Sequence, residues 1–220
     1  MIDVRLLQLA SPSLPVGAYS YSQGLESAVE AGIVRDAASA GRWIGGVLDL
    51  SVCAMEAPVF LRLMAAWETQ DGPAARRWND EFIASRETAE LRAETIQMGH
   101  SLRILLSDLG VGDPETLQAW DEVTFPAAFA FAAAAWRIDA REALAAYLFA
   151  WIENQVLAAL KCVPLGQTDG QRLLLELSQR IAAAVAGAAA MDDEDLSNLA
   201  PGLALASARH ETQYSRIFRS

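Results

Sequence analysis

Leu91, Thr95, Met98, Leu102, Leu105 and Leu109 are spaced 4, 3, 4, 3 and 4 residues apart. An α-helix returns to one face every 3.6 residues, so this spacing draws one stripe down a helix of about five turns. It fits no strand, whose faces alternate at every second residue. Ser85 offers an N-cap, Glu87 suits the first turn, and Gly110 supplies a stop. The same period recurs over residues 23–31, 38–52, 56–68, 73–84, 126–137, 140–163, 168–188 and 203–218. Gly32, Asp71-Gly72 and Pro164-Leu165-Gly166 punctuate it, and Pro58 marks a first turn or a kink. Alanine and leucine favour helix, and no run alternates as a strand would. These features predict an all-α fold: one single-domain helical bundle of about ten helices over residues 1–220, with an alanine-rich middle buried.

Composition narrows the class further. With 53% apolar residues and six Trp the chain is no disordered polymer. Its 17 basic and 28 acidic residues give a net charge of −11, with no basic stripe, so no nucleic acid partner is expected. Two cysteines, Cys53 and Cys162, without a CxxC motif point to a reduced, cytoplasmic setting. The opening MIDVRLLQLASPSLP lacks the basic and apolar regions of a signal peptide. The longest apolar runs, 127–136 and 143–152, are ten residues each. A spanning helix needs roughly 20, so no membrane partner is expected either.

The chain carries no recognisable catalytic constellation. His100 and His210 are its two histidines, and neither HExxH, GxxxxGK[ST] nor a strand-to-helix GxGxxG is present. Catalytic residues, metal ligands and cofactors are all expected to be none. Cys162 beside Lys161 reads as a structural thiol or, less simply, an activated one. The run Asp192–Asp195 lacks calcium-loop spacing and reads as a solvated acidic turn.

Four segments stand out from a plain bundle. Residues 9–26 combine two prolines and two glycines with Tyr19, Ser20, Tyr21, Ser22 and Gln23, which suits either a binding loop or a rigid turn capping helix ends. Glu87, Glu90 and Glu94 share one helix face, solvated or acidic docking, and Arg86 reaches Glu90 at i+4. Glu153 and Lys161 lie roughly 12 Å apart along one helix, so each needs another partner if buried. Residues 203–220 place Leu203, Ala206, His210, Tyr214 and Ile217 on one face and Arg209, Gln213 and Arg216 on another. Arg and Tyr are frequent interface anchors, so an interaction helix is expected over about 203–220, against the alternative of internal packing.

Together LLQLASPSLPVGAYSYSQGLE, RETAELRAE, KCVPLGQTDGQRLL and SARHETQYSRIFRS resemble the urease accessory protein family UreF, in family order from residue 5 to residue 220. The resemblance implies a cytoplasmic, homodimeric, non-enzymatic chaperone-like adaptor that bridges UreD (also called UreH) and the GTPase UreG. Through them it would serve nickel insertion into apo-urease, with UreE as a nickel source. By the matching motifs, Gly17, Tyr19, Ser20, Tyr21 and Glu26 are assigned to the surface meeting UreG and shaping the dimer cleft. Lys161 and Gln167 belong near it, and Arg209, His210, Glu211, Tyr214, Ser215 and Arg216 to the surface on UreD. A nickel path lined by Glu and Tyr is also implied. An alternative reading is a GTPase-activating protein for UreG, which requires an exposed arginine facing the nucleotide, whereas no arginine lies between Leu6 and Ile33. A third is a helical enzyme using Tyr19, Glu26 and Glu153.

Overall fold

The computed structural model describes residues 3–220. Among them lie ten helices and no strand. They are α1 (Val4–Leu9), α2 (Leu25–Glu30), α3 (Ala37–Glu68), α4 (Gly72–Ala84) and α5 (Ala89–Asp108), followed by α6 (Pro114–Gln118), α7 (Phe125–Ala135), α8 (Ala140–Cys162), α9 (Gln167–Ala190) and α10 (Pro201–His210). Short polar side chains start most of them. Asp36, Asp71, Thr88, Asp113, Thr124 and Asp139 each accept a hydrogen bond from a first-turn amide that has no partner inside its helix.

Two expected boundaries move. α5 begins after Thr88 rather than Ser85, because Ser85 is still the C-cap of α4, with helical backbone angles, and its hydroxyl oxygen accepts from the Arg86 guanidinium instead of a first-turn amide. The segments expected on either side of Pro58 are one helix. Pro58 has no N–H for the Ala54 carbonyl, and the Ser197 amide takes that carbonyl instead at 3.1 Å. Just before it, Leu48–Glu56 widens to π-helical turns, which carry Glu56 into the interior.

α7 is the centre of the bundle. Ala127 to Ala133 are all buried, and α3 and α5 pack against it from either side. Phe60, Phe125, Phe129 and Tyr147 meet around it with ring centroids 5.0–5.9 Å apart. The α5 stripe that faces this core runs Leu91, Thr95, Met98, Leu102, Leu106, while Leu109 is half exposed. Leu109 is the C-cap residue, past the last turn that meets the core, and Leu106 takes the buried position that the pattern assigned to Leu105.

Helix α3, α8 and α9 are each long and apolar enough to cross a membrane by length and composition. Counting uninterrupted apolar runs missed this, because glycine, serine and glutamine interrupt the runs without making a window polar. The most apolar windows of α3 and α8 are 67% and 56% buried inside the protein, and that of α9 is 22% buried.

The approach of α5 to the start of α7 is close. A Cβ at Gly99 would lie 2.0 Å from the Val123 carbonyl oxygen and 2.6 Å from the Thr124 carbonyl carbon. Both obstacles are backbone and cannot rotate away. Gly99→Ala is therefore expected to destabilise the fold by about 3 kcal/mol, measured by chemical denaturation; a change within experimental error would show that α7 can shift.

Candidate functional site

The site is built where the loop between α1 and α2 meets the segment that follows α10. The loop turns at Ala18–Ser20, one 3₁₀ turn after Gly17, and exposes Tyr19. It is held from below. The Tyr21 hydroxyl donates to Gln97 on α5 at 2.6 Å, and Asn154 of α8 donates to the Tyr21 carbonyl at 3.3 Å. Trp151 Nε1 donates to Gln23, whose amide donates in turn to Glu94 at 2.8 Å. Gly24 then allows α2 and α10 to cross: its φ is +73°, and a Cβ there would press on Ala206 and Ser207 at 3.1 Å.

Residues 211–220 are not helical. The helix expected over 203–220 ends at His210, although the 3.6-residue pattern continues through Tyr214 and Ile217. The buried Glu26 carboxylate overrides that local preference. Its two oxygens accept from the Ile217 amide at 2.7 Å and the Phe218 amide at 2.9 Å, in a conformation no helix provides. The strand of chain beyond is fixed to the loop backbone. The Arg219 amide donates to Ser20 O at 2.8 Å, and the Ser22 amide and hydroxyl both donate to Ser220 O. The Ser220 hydroxyl donates to Glu94 at 2.9 Å, and Phe218 is buried.

His210 joins the two sides. It is fully buried, with Nδ1 2.8 Å from Glu90 and Nε2 3.2 Å from Glu26. Each ring nitrogen thus faces one carboxylate oxygen, one from α2 and one from α5. Arg216 pairs with the other oxygen of Glu90 at 2.9 Å, and Glu211 accepts from the Ala89 amide at the start of α5.

Of the residues singled out in the sequence, Gly17, Tyr19, Ser20, Tyr21, Glu26, His210, Glu211 and Arg216 come together here. Lys161 joins them, donating to the Tyr19 carbonyl at 3.3 Å with its ammonium over the Tyr19 and Phe218 rings. Tyr214 is fully exposed, and Arg209 and Ser215 also face solvent. Gln167, the first residue of α9, is exposed and outside this set of bonds. The Glu87, Glu90, Glu94 face divides: Glu87 faces solvent, while Glu90 and Glu94 receive the chain's own residues 210–220. Arg86 does not pair with Glu90. It turns inward to Glu56 at 3.7 Å, with both side chains buried.

Beneath the loop is a cavity of about 90 Å³ whose lining includes Glu56, Glu94, Tyr147, Trp151 and, towards the surface, Glu153. Tyr147 donates its hydroxyl to Glu56. Burial pushes the Glu56 carboxyl up, against the pull of Arg86, and pushes Glu94 up to about 7. Desolvation also raises the Cys53 and Cys162 thiols to about 11, which makes both structural rather than activated. Among the described residues no three or more His, Cys, Asp or Glu are grouped to hold a metal ion.

Comparison with known proteins gives a consistent result. The family model described as UreF matches residues 34–178. A protein of Azoarcus sp. (strain BH72) called urease accessory protein UreF is 58% identical over 222 residues, covering 99% of this chain and 95% of that protein. Its counterparts in Janthinobacterium sp. (strain Marseille) and Dechloromonas aromatica (strain RCB) are 55% and 54% identical, covering 99% and 98% of this chain and 97% and 96% of their own lengths.

Two outcomes test this geometry. In Glu26→Gln one oxygen becomes an amide donor facing an amide or the imidazole, so the Ile217 and Phe218 amides are expected to exchange hydrogen at least about tenfold faster; unchanged protection would refute the role given to Glu26. Glu94 holds its proton in the folded state up to about pH 7, whereas its ordinary value is 4.5. Stability from this group is therefore full below 4.5 and is lost as pH rises through 7. Glu94→Gln is expected to flatten that part of the melting-temperature profile and to melt higher than the parent at pH 8.

Proposed function

The chain belongs to the UreF family of urease accessory proteins, with its role in urease maturation, and from that premise we propose that it is the cytoplasmic adaptor which bridges UreD and the GTPase UreG during nickel insertion. The observation that carries this reading is the bonding of segment 211–220 to the loop at 17–26. A partner gripping Arg209, Tyr214, Ser215 and Ile217 loads a segment whose other side holds the loop carrying Tyr19. UreD on the segment and UreG on the loop would then be coupled through Glu26 and His210, because fixing one side removes freedom from the other. Exposed Tyr, Arg and Ile are the residue types that anchor such contacts.

Nickel is cargo in this reading, supplied by UreE and received by apo-urease. The carboxylates and Tyr147 along the cavity are hard, weak donors, suited to passage rather than storage. A homodimer would set two such loops beside a shared cleft, with Lys161 at the loop's edge. The site needs no catalytic group of its own for this work.

One observation favours the second reading, activation of UreG hydrolysis. The loop has no arginine in its sequence, yet the fold lays Arg219, exposed, beside Ser20. Stimulated GTP turnover that vanishes in Arg219→Ala would select that reading.

The adaptor reading is tested by co-purification with UreD and UreG, comparing the intact chain with one shortened after His210, which leaves α10 complete. The intact chain is expected to capture UreD, and UreG once UreD is present, and the shortened chain to lose both. Capture of neither by the intact chain would overturn it.

A further inference from the structure

On the side of the loop away from the cavity lies an open groove of about 560 Å³, between residues 15–21 and the outer face of α5. Its hydrogen-bonding groups are unevenly divided. The Gln97 carbonyl is taken by the Tyr21 hydroxyl, which leaves the Gln97 amide group to donate. Arg103 gives its N–H groups to the Leu117 and Trp120 carbonyls and to His100 Nδ1 at 2.8 Å, which leaves the His100 proton on Nε2. Arg219 is exposed, with its backbone pinned to Ser20 and its side chain beside the Tyr21 hydroxyl. No carboxylate of the described residues lies within 4.0 Å of either Arg103 or Arg219. Asp121, exposed at the groove's edge, is the acidic residue lining it. The groove thus offers donors and two unneutralised cations on a chain whose net charge is −11.

We propose that this groove receives an acidic, carboxylate-bearing segment of a partner protein. Carboxylates are acceptor-only groups that match an arginine fork in two parallel bonds, so they complement this lining as neutral or basic chains do not. The length and openness of the groove suit an extended segment better than a small anion. Tyr19, 61% exposed, stands at its rim as an aromatic anchor. On a chain whose net charge is −11, an acidic segment is held only where local cations outweigh that charge, as Arg103 and Arg219 do in this groove. The inference rests on the adaptor reading and gives the chemistry of the partner face that meets the loop.

Arg219→Glu and Ser101→Glu test it in the full-length protein with UreD bound. Ser101 lines the groove, and its hydroxyl only returns to the backbone carbonyl of Gln97, so neither change touches the core. Both are expected to keep the parent melting temperature, weaken UreG binding about tenfold and flatten its salt dependence, while Arg219→Lys keeps most of the affinity. UreG binding that is indifferent to both reversals and to salt overturns the inference and leaves the adaptor reading intact. A second probe separates the two: a hexaglutamate peptide, with hexaglutamine as control, titrated while the His100 ring is followed by NMR. Movement with the acidic peptide alone supports the groove's chemistry even if UreG is not captured. No movement with either peptide, or equal movement with inorganic phosphate, overturns it.

Discussion

A single buried carboxylate sets the shape of the surface. Glu26 is 7% exposed and receives the amides of Ile217 and Phe218 and one nitrogen of His210. A carboxyl group buried in that position is tolerated only because its lone pairs are filled by donors held in place. The donors come from a segment that would otherwise have continued α10. The carboxylate therefore ends the helix and turns the chain, and that turn lays residues 217–220 along the loop. Remove the acceptor and two amides, an imidazole and the course of the chain after His210 all lose their reason at once.

α5 is the frame on which this depends, and each of its faces has a different duty. Leu91, Met98, Leu102 and Leu106 enter the core, and the Thr95 hydroxyl oxygen accepts from the Phe125 amide at the start of α7. About a third of a turn away, Glu90 and Glu94 hold His210, Arg216 and Ser220. Further round, Gln97, His100 and Arg103 line the groove. One helix thus fixes the spacing between core, buried charge and open surface. Gly99 is what lets it sit against α7 closely enough to do so.

The helical class, most element positions and the unusual segments 9–26 and 203–220 were legible in the sequence because they rest on local rules: period, caps, glycine and proline. That the segments bind each other was not legible, since residues nearly two hundred positions apart leave no trace in a periodicity. Residues 203–218 keep a helical pattern that the fold discards after His210, a tertiary override of propensity. A hint was nevertheless present. Glu26, Glu90 and Glu94 are acids near apolar neighbours, and Arg209, His210 and Arg216 are bases far along the chain. Each set reads alone as a solvated face, and only their complementarity suggests a meeting. The same limit hid Arg219, which no inspection of the loop's own residues could place beside Ser20.

Buried ion pairs contribute little net stability, because desolvation offsets most of the attraction. An apolar 211–220 segment would adhere to α5 and the loop as well as this one does. It would also slide, since apolar contact tolerates many registers. Two carboxylates from different helices, one imidazole between them and a pair of directed amides admit one register only. That register places Phe218 inside while Tyr214 and Ile217 stay outside, and sets Arg219 beside Ser20. The partner-binding role proposed for this surface needs its anchors at fixed positions more than it needs a tighter fold. In this chain the buried charges supply position, and the alanine-rich core around α7 supplies the stability that they do not.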